Sequence, residues 1–241
     1  MISKVSVAMA VYNGEKYLNE QIDSIIGQLK ADDELIISVD PCGDTSKQIA
    51  LEYAANDVRI RVVDGPGDGV VSNFENALKQ ANGDCIFLSD QDDMWEDGKI
   101  DACVAALEDG ALAVIHDCTV VDSNGSTLHP LLYRGTFKPG AIRNIIKNRY
   151  TGCCMAINRA LLQYAMPFPD SLPMHDQWLG IAAAHFGRVA YIDRPLIKYR
   201  RHECTATGRQ RAGIMQKLKW RIAILRAYIG LGLKRKNHEQ N

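Results

Sequence analysis

The chain has 241 residues, a formal net charge of −1 at pH 7, 46% hydrophobic and 24% charged side chains. That length suits one globular domain with room for a smaller second part, and the charge balance leaves no electrostatic footprint for nucleic acid. No apolar run approaches the ~20 residues a membrane span needs. The first 118 residues alternate strand and helix. Val5 to Val11 is a small, apolar run, as a buried parallel strand requires. Leu18, Ile22, Ile25, Ile26 and Leu29 share one helical face. Leu35 to Val39 predicts a second strand, Thr45 to Asn56 a helix with Ile49 and Tyr53 inward, and Ile60 to Val63 a third strand. Val70 to Ala81 is helical, Cys85 to Leu88 a fourth strand, Ile100 to Leu107 a helix and Leu112 to Ile115 a fifth strand. Strands separated by helices pair in parallel with right-handed crossovers. The expected fold class is therefore α/β: a doubly wound, mostly parallel sheet flanked by helices.

Beyond residue 118 the pattern changes. Val120-Val121 and Thr127-Leu128 flank Ser123-Asn124-Gly125, a hairpin signal. Pro130 to Pro139 reads as a loop. A helix begins near Asp176, with Leu179, Ala182, Ala183 and Phe186 on one face. Two short strands follow, Val189 to Ile192 and Leu196 to Tyr199. From Arg209 to Lys236 there are nine Lys/Arg and no acidic residue. There Leu218, Ile222, Leu225 and Ile229 can line one face, with Trp220 and Tyr228 near its flanks. Two readings stay open for this tail: a helix lying on an anionic membrane surface, or one docked on the domain with its basic face in water. The division expected is 1–208 as the main domain, split at 118/119 into a ligand-binding half and a second half, with 209–241 as a basic amphipathic tail.

Seven cysteines, an odd number without CxxC spacing, signal neither a disulfide framework nor a zinc site. Reduced, buried thiols in a cytoplasmic protein are the expectation. Met1 leads directly into a strand, so no signal peptide is expected.

The chemistry concentrates in Phe87-Leu88-Ser89-Asp90-Gln91-Asp92-Asp93-Met94-Trp95, where an apolar strand runs into three carboxylates within four residues. Carboxylates so close repel one another and are costly to desolvate unless a positive charge sits among them. Mg²⁺ or Mn²⁺ takes oxygen ligands and keeps positions open for substrate phosphates. The carboxyl end of a strand is where α/β sheets bind ligands, so a metal that grips a diphosphate is the expectation. Asp40, Asp64 and Asp117 also end strands. For Asp64 and Asp117 a turn or cap role is the simpler reading; His116, His129 and His185 read as structural. Val11-Tyr12-Asn13-Gly14 follows the first strand, and Gly14 lets the chain approach a ligand closely. No Gly-rich phosphate cradle is present, which leaves phosphate to the metal and basic side chains.

Val5 to Leu18 resembles the opening of the inverting family 2 glycosyltransferases. Phe74-Glu75-Asn76-Ala77-Leu78 and Ala81-Asn82-Gly83-Asp84 are similar to later family segments. The segment Phe87 to Trp95 is similar to the DxD segment of the rhamnosyltransferase-like branch, His175-Asp176-Gln177-Trp178-Leu179 to its acceptor-side motif, and Tyr199-Arg200-Arg201-His202 to its closing motif. The resemblance covers about residues 3 to 208, with the motifs in order. It implies a GT-A fold, a nucleotide-diphosphate sugar donor, a Mn or Mg cation, and a saccharide or lipid-linked saccharide acceptor in cell-surface polysaccharide synthesis. By resemblance, Val11, Tyr12 and Asn13 border the nucleobase, Asp40 binds base or ribose, and Asp90 touches ribose with Gln91 beside it. Asp92 matches the metal ligand, with His202 a second. Asp176 matches the general base, and His175, Trp178 and Trp95 lie on the acceptor side. Two departures stand out. The usual Asp-Asp-Gly-Ser-x-Asp run is Asp40-Pro41-Cys42-Gly43-Asp44 here, and Glu203-Cys204-Thr205 follows His202 where a His-x-x-Asn pattern is usual.

Two other classes bear on these residues. A phosphoacceptor regulator needs a lone Asp ending the third strand and a Lys after the fifth; Asp64 runs into Gly65-Pro66-Gly67, and Cys118-Thr119 follows Asp117. A catalytically silent nucleotide-sugar or saccharide-binding module of the same fold is the remaining alternative. The location expected is cytoplasmic, with peripheral contact at the inner face of a membrane under the first reading of the tail.

Overall fold

The computed structural model describes residues 1–202 and 213–238. The predicted 208/209 boundary lies outside them. The nine strands are β1 (Val5–Val11), β2 (Glu34–Val39), β3 (Ile60–Asp64), β4 (Cys85–Ser89), β5 (Met94–Trp95), β6 (Ala111–Val121), β7 (Thr127–His129), β8 (Met155–Asn158) and β9 (Arg188–Arg200). The helices are α1 (Leu18–Ile26), α2 (Ser46–Asn56), α3 (Val70–Gln80), α4 (Lys99–Glu108), α5 (Ala141–Ile146), α6 (Leu162–Ala165), α7 (His175–Phe186) and α8 (Ile214–His238). All strands form one sheet, ordered β3-β2-β1-β4-β8-β6-β9-β5, with β7 paired to β6. Pairing is parallel from β3 through β4 and again between β6 and β9. Strands β8, β5 and β7 run against their neighbours. The doubly wound α/β expectation holds, with a mixed rather than purely parallel second half.

Alternation along β1 shows how the layers form. Val5, Val7, Met9 and Val11 belong to the core under α1, α2 and α4, together with Leu18, Ile22 and Ile25. Ala8 and Ala10 face the opposite core, with Phe74 of α3, Trp178 of α7 and Ile224 of α8. Successive strand side chains point to opposite faces, so both faces of the strand are buried and the run reads as continuously apolar.

Two differences from the sequence reading have physical causes, and one expectation holds. The predicted fifth strand, Leu112–Ile115, is the N-terminal part of β6, which runs on to Val121 and is separated from β4. Strand β8 lies between them, antiparallel to both. The two strands predicted at 189–192 and 196–199 are one strand, β9, whose register with β6 shifts at Pro195. Proline donates no ladder hydrogen bond, so the irregularity sits there. The hairpin predicted around Ser123-Asn124-Gly125 forms as β6–β7, with Val121 opposite Thr127.

The cysteines at 42, 85, 103, 118, 153 and 154 are free. No described helix is long and apolar enough to cross a membrane.

Candidate active site

The carboxyl ends of β1, β2 and β4 and the first turn of α7 surround a cavity of about 230 Å³. Val11, Tyr12, Asp40, Asp90, Gln91, Asp92, His175 and Asp176 all line it. The loop after β1 is tightly held. Asn13 takes a positive φ of 49°, a conformation Asn tolerates better than most residues. Its Oδ1 accepts from Gly43 N–H at 2.9 Å, and its own N–H donates to Cys42 Sγ at 3.3 Å. Cys42 in turn donates to the Asp40 carbonyl at 2.9 Å. The altered Asp40-Pro41-Cys42-Gly43 run thus ties the β1 and β2 loops together. The Asp40 carboxylate, 5% exposed, accepts from Gly67 N–H at 2.9 Å.

Gln91 grips the other side of the same loop. Its Oε1 accepts from Tyr12 N–H at 2.7 Å, and its Nε2 donates to the Tyr12 carbonyl at 2.9 Å. A Cβ on Gly14 would meet the Gln91 amide carbon at 2.5 Å, so the glycine makes room for this clamp. Both polar ends of the Gln91 amide are engaged by backbone, which makes it a positioning residue for the loop. The Tyr12 side chain stays exposed at the rim.

The acidic corner at the β4 end sits among buried cations. Asp93 is fully buried; its Oδ1 accepts from Arg200 N–H at 2.9 Å, and its Oδ2 has no partner. Arg200 is 3% exposed, donates through Nε to the Asp92 carbonyl at 2.9 Å, and pairs with Glu20 at 2.5 Å. His202 Nε2 lies 2.7 Å from Asp92 Oδ2. Lys99 is fully buried, with Nζ donating to the Cys153 carbonyl at 2.8 Å and lying 4.0 Å from the Trp95 ring centroid. Burial and the neighbouring Asp93 and Asp92 push the Asp90 carboxyl well above its ordinary range. Burial, then Asp92, pushes Asp93 up to about 7. Burial also raises Asp92, against the His202 hydrogen bond that lowers it. Burial lowers the Lys99 ammonium.

One carboxylate oxygen from each of Asp90 and Asp93 and the Cys153 sulfur lie within 4.8 Å of one another. Three crowded carboxylates and an orphaned Asp93 oxygen fit a hard divalent cation. A thiol is a soft donor that suits neither Mg²⁺ nor Mn²⁺, so the carboxylates, with Asp92 on the cavity wall, are the donor set that fits.

The facing wall holds its carboxylate with neutral partners. Asp176 is 4% exposed in the first turn of α7, and its Oδ1 accepts from Gln177 N–H at 2.6 Å and the Asn148 amide at 3.0 Å. Burial pushes it up to about 6 against those hydrogen bonds. His175 stacks on Phe74 with centroids 3.8 Å apart, and neither ring nitrogen has a partner. Burial drops its pKa to about 3, so the ring is neutral. A Cβ on Gly152 would come within 2.8 Å of His175 Nε2, so the glycine makes room for the ring.

Val11, Tyr12, Asp40, Asp90, Gln91, Asp92, His175 and Asp176 therefore converge, with Asn13 and His202 directly behind them. The two tryptophans do not. Trp178 is 1% exposed, with its indole N–H on the Ala165 carbonyl at 2.9 Å. Trp95 is 6% exposed and packs on Phe87 with centroids 5.3 Å apart. Neither reaches the cavity, because a large aromatic ring on an inward helix or strand face is claimed by the core. Asp64 is exposed and pairs with Lys47 at 2.6 Å. Asp117 organises the turn after β6, accepting at one oxygen or the other from Cys118, Leu132, Tyr133 and Arg134 N–H groups and from Tyr191 OH. Sequence reasoning missed Lys99, Asn73 and Cys153. Asn73, 2% exposed, lines the cavity and donates to the Val11 carbonyl at 3.2 Å. Its signal was a polar side chain one position before Phe74 on the inward stripe of α3.

The family model described as Glycosyl transferase family 2 matches residues 6–165. A dTDP-rhamnosyl transferase, RfbG of Shigella flexneri, is 27% identical over 237 residues, 90% of this chain and 79% of that protein. Other curated relatives are longer: the chain spans 33%, 61% and 65% of three of them. Among solved structures, S. aureus TarS 1-349 in complex with UDP-GlcNAc superposes with a TM-score of 0.71 at 20% identity, covering 95% of this chain and 66% of TarS 1-349. The mannosyltransferase PcManGT from Pyrobaculum calidifontis, in complex with GDP-Man and Mn²⁺, superposes at 0.59 with 18% identity, covering 80% of this chain and 55% of PcManGT.

Proposed function

The chain belongs to glycosyl transferase family 2, and from that premise we propose that it moves a sugar from a nucleotide-diphosphate sugar onto a saccharide acceptor, with inversion at the anomeric carbon. The observation that carries this reading is that one cavity is lined by Asp90 and Asp92 on one side and Asp176 on the other. Transfer needs the charge on a departing diphosphate neutralised and the acceptor hydroxyl deprotonated. One base and one in-line displacement suffice, without a carboxylate nucleophile.

In this reading Val11, Tyr12 and Asn13 border the nucleobase, Asp40 binds base or ribose, and Asp90 touches ribose. Gln91 holds the Tyr12 loop in place. Asp92, with His202 behind it, would hold the cation, and Mn²⁺ or Mg²⁺ bound there supplies charge neutralisation at the diphosphate. PcManGT was solved with GDP-Man and Mn²⁺, which supports a nucleotide-sugar donor and a divalent cation here. Asp176 takes the acceptor proton, and neutral His175 beside it, stacked on Phe74, shapes the wall there without adding a charge. A cytoplasmic enzyme of cell-surface polysaccharide synthesis, acting on a lipid-linked acceptor at a membrane, is the setting this reading gives it.

A panel of nucleotide sugars, with and without Mn²⁺, tests it. Asp92→Ala should weaken donor binding. Asp176→Asn should spare donor binding and abolish transfer. Full transfer by both folded variants would overturn the assignment. Donor binding without any turnover by the unmodified chain would favour a silent binding module.

A further inference from the structure

Helix α8 carries two apolar rows, and only one of them packs on the described residues. Ile224 and Leu231 are each 1% exposed and join the core shared with α7, with Ala227 and Tyr228 packed beside them. The Tyr228 ring meets His185 of α7 edge-on at 5.2 Å. The second row is Met215, Leu218, Ile222, Leu225 and Ile229, which are 69%, 50%, 43%, 47% and 59% exposed. Its spacing of three, four, three and four residues makes one narrow stripe. At about 100° per residue that stripe lies opposite Ile224 and Leu231. Five large apolar side chains in one exposed row are more than scattered surface residues require.

The flanks identify what covers the stripe. Lys219 and Arg226 project on one side of it and Arg221 on the other, all exposed. From residue 213 to 238 the sequence has seven Lys/Arg and no Asp/Glu. Pairing with a second copy of this helix would set these positive flanks against one another in either orientation. An anionic surface satisfies them. A free helix at a lipid interface needs a broad apolar face, but α8 already buries its opposite side on the domain, so a narrow outward stripe is all that must enter the headgroup region. Basic side chains at its margins can extend their charges to the headgroups.

We propose that the outward stripe of α8 is a docking surface for a bilayer with anionic headgroups. The helix docks on the domain through Ile224 and Leu231 rather than through the row expected from the sequence, and the proposal assigns that expected row to the membrane. The proposal deepens the lipid-linked-acceptor reading above and rests on it for its biological purpose, not for its geometry.

Sedimentation of the full chain with vesicles tests it. The chain should pellet with phosphatidylglycerol-containing vesicles and stay in solution with pure phosphatidylcholine. Lys219→Glu/Arg226→Glu should lower partitioning about fivefold or more per residue changed, and added salt should weaken binding of the unmodified chain. Leu218→Ser/Ile222→Ser/Leu225→Ser leaves the docked row intact; it should keep its melting temperature and remain in the supernatant. Three outcomes overturn the proposal: no pelleting with anionic vesicles, unchanged pelleting of the triple serine variant, or conversion of a stable dimer to monomer by that variant with vesicle binding untouched. Transfer to a soluble acceptor, measured on the same samples, separates the two ideas. Lost vesicle binding with transfer kept speaks to α8 alone, and lost transfer with vesicle binding kept speaks to the cavity alone.

Discussion

Two walls of one cavity bury carboxylates by opposite means. At the β4 end, Asp92 and Asp93 are met by the Arg200 backbone and guanidinium, by His202 at 2.7 Å and by fully buried Lys99 nearby. At the α7 end, Asp176 has an amide and a backbone N–H. Even with its cations the β4 wall keeps its carboxyls raised: burial first, then repulsion between neighbouring aspartates, pushes Asp90 and Asp93 upward, Asp93 to about 7. A site that lacks positive charge suits one that receives it with a ligand. A lone carboxylate near neutral pKa suits a group that must accept a proton at ordinary pH. The residue type is the same on both walls, and the surroundings set the chemistry.

The largest expected effect breaks the α7 wall. Asp176→Asn keeps the shape and the Asn148 contact but removes the proposed base, and should lower kcat by about 10²- to 10⁴-fold. Donor KM should stay within a few-fold. A comparable loss of donor binding would show that Asp176 belongs functionally to the β4 wall.

Lys99→Met probes the other wall. It keeps most of the stem but strands the Cys153 carbonyl and withdraws a buried cation that lowers the Asp93 carboxyl. Removing one partner from a buried charged set should cost about 3 kcal/mol, read by urea denaturation without metal. Lys99→Met/Asp93→Asn should recover a large part of that, because the uncompensated carboxylate is gone. Additive losses would mean that the two groups do not interact.

The pH dependence sharpens the contrast further. Asp176 accepts a proton only when ionised, and burial moves its titration upward from 3.8 to about 6. The protonated, inactive form therefore grows as pH falls through 6. The kcat/KM for transfer should drop about tenfold from its plateau to pH 5. A profile flat down to pH 5 would remove Asp176 as the base. His175, near 3, stays neutral throughout that range and adds no step.

How far the sequence discloses these walls depends on what each residue type signals by itself. The β1 to β4 strands are legible because burial on both faces leaves continuous apolar runs. Strand β8 has only Met155 to Asn158, and β5 only Met94 and Trp95, too short for any periodicity to register. With β8 unread, the antiparallel strand between β4 and β6 goes unseen. Crowded carboxylates announce themselves, so Asp90, Asp92 and Asp93 are visible without a structure. Lys99 is not, because a lysine in the first turn of a helix normally reads as solvated. Only the packing of α4 against β8 and the sheet reveals that it is buried beneath the corner. Trp178 fails the other way. The His175-Asp176-Gln177-Trp178 segment suggests a row of site residues, but helix geometry turns positions two residues apart away from each other.

That last point carries the smallest expected effect. Trp178→Phe keeps an aromatic ring in the core and removes the indole N–H, leaving the Ala165 carbonyl without its 2.9 Å partner. The loss should be about 1 kcal/mol of stability, seen as a lower urea midpoint with an unchanged slope. Transfer kinetics, acceptor KM included, should stay within about twofold, since the ring lies behind the cavity wall formed by His175 and Asp176. A rise in acceptor KM with stability untouched would place Trp178 back on the acceptor side. It would also imply that α7 turns about its axis when a saccharide binds, because in the present packing its first turn alone faces the cavity.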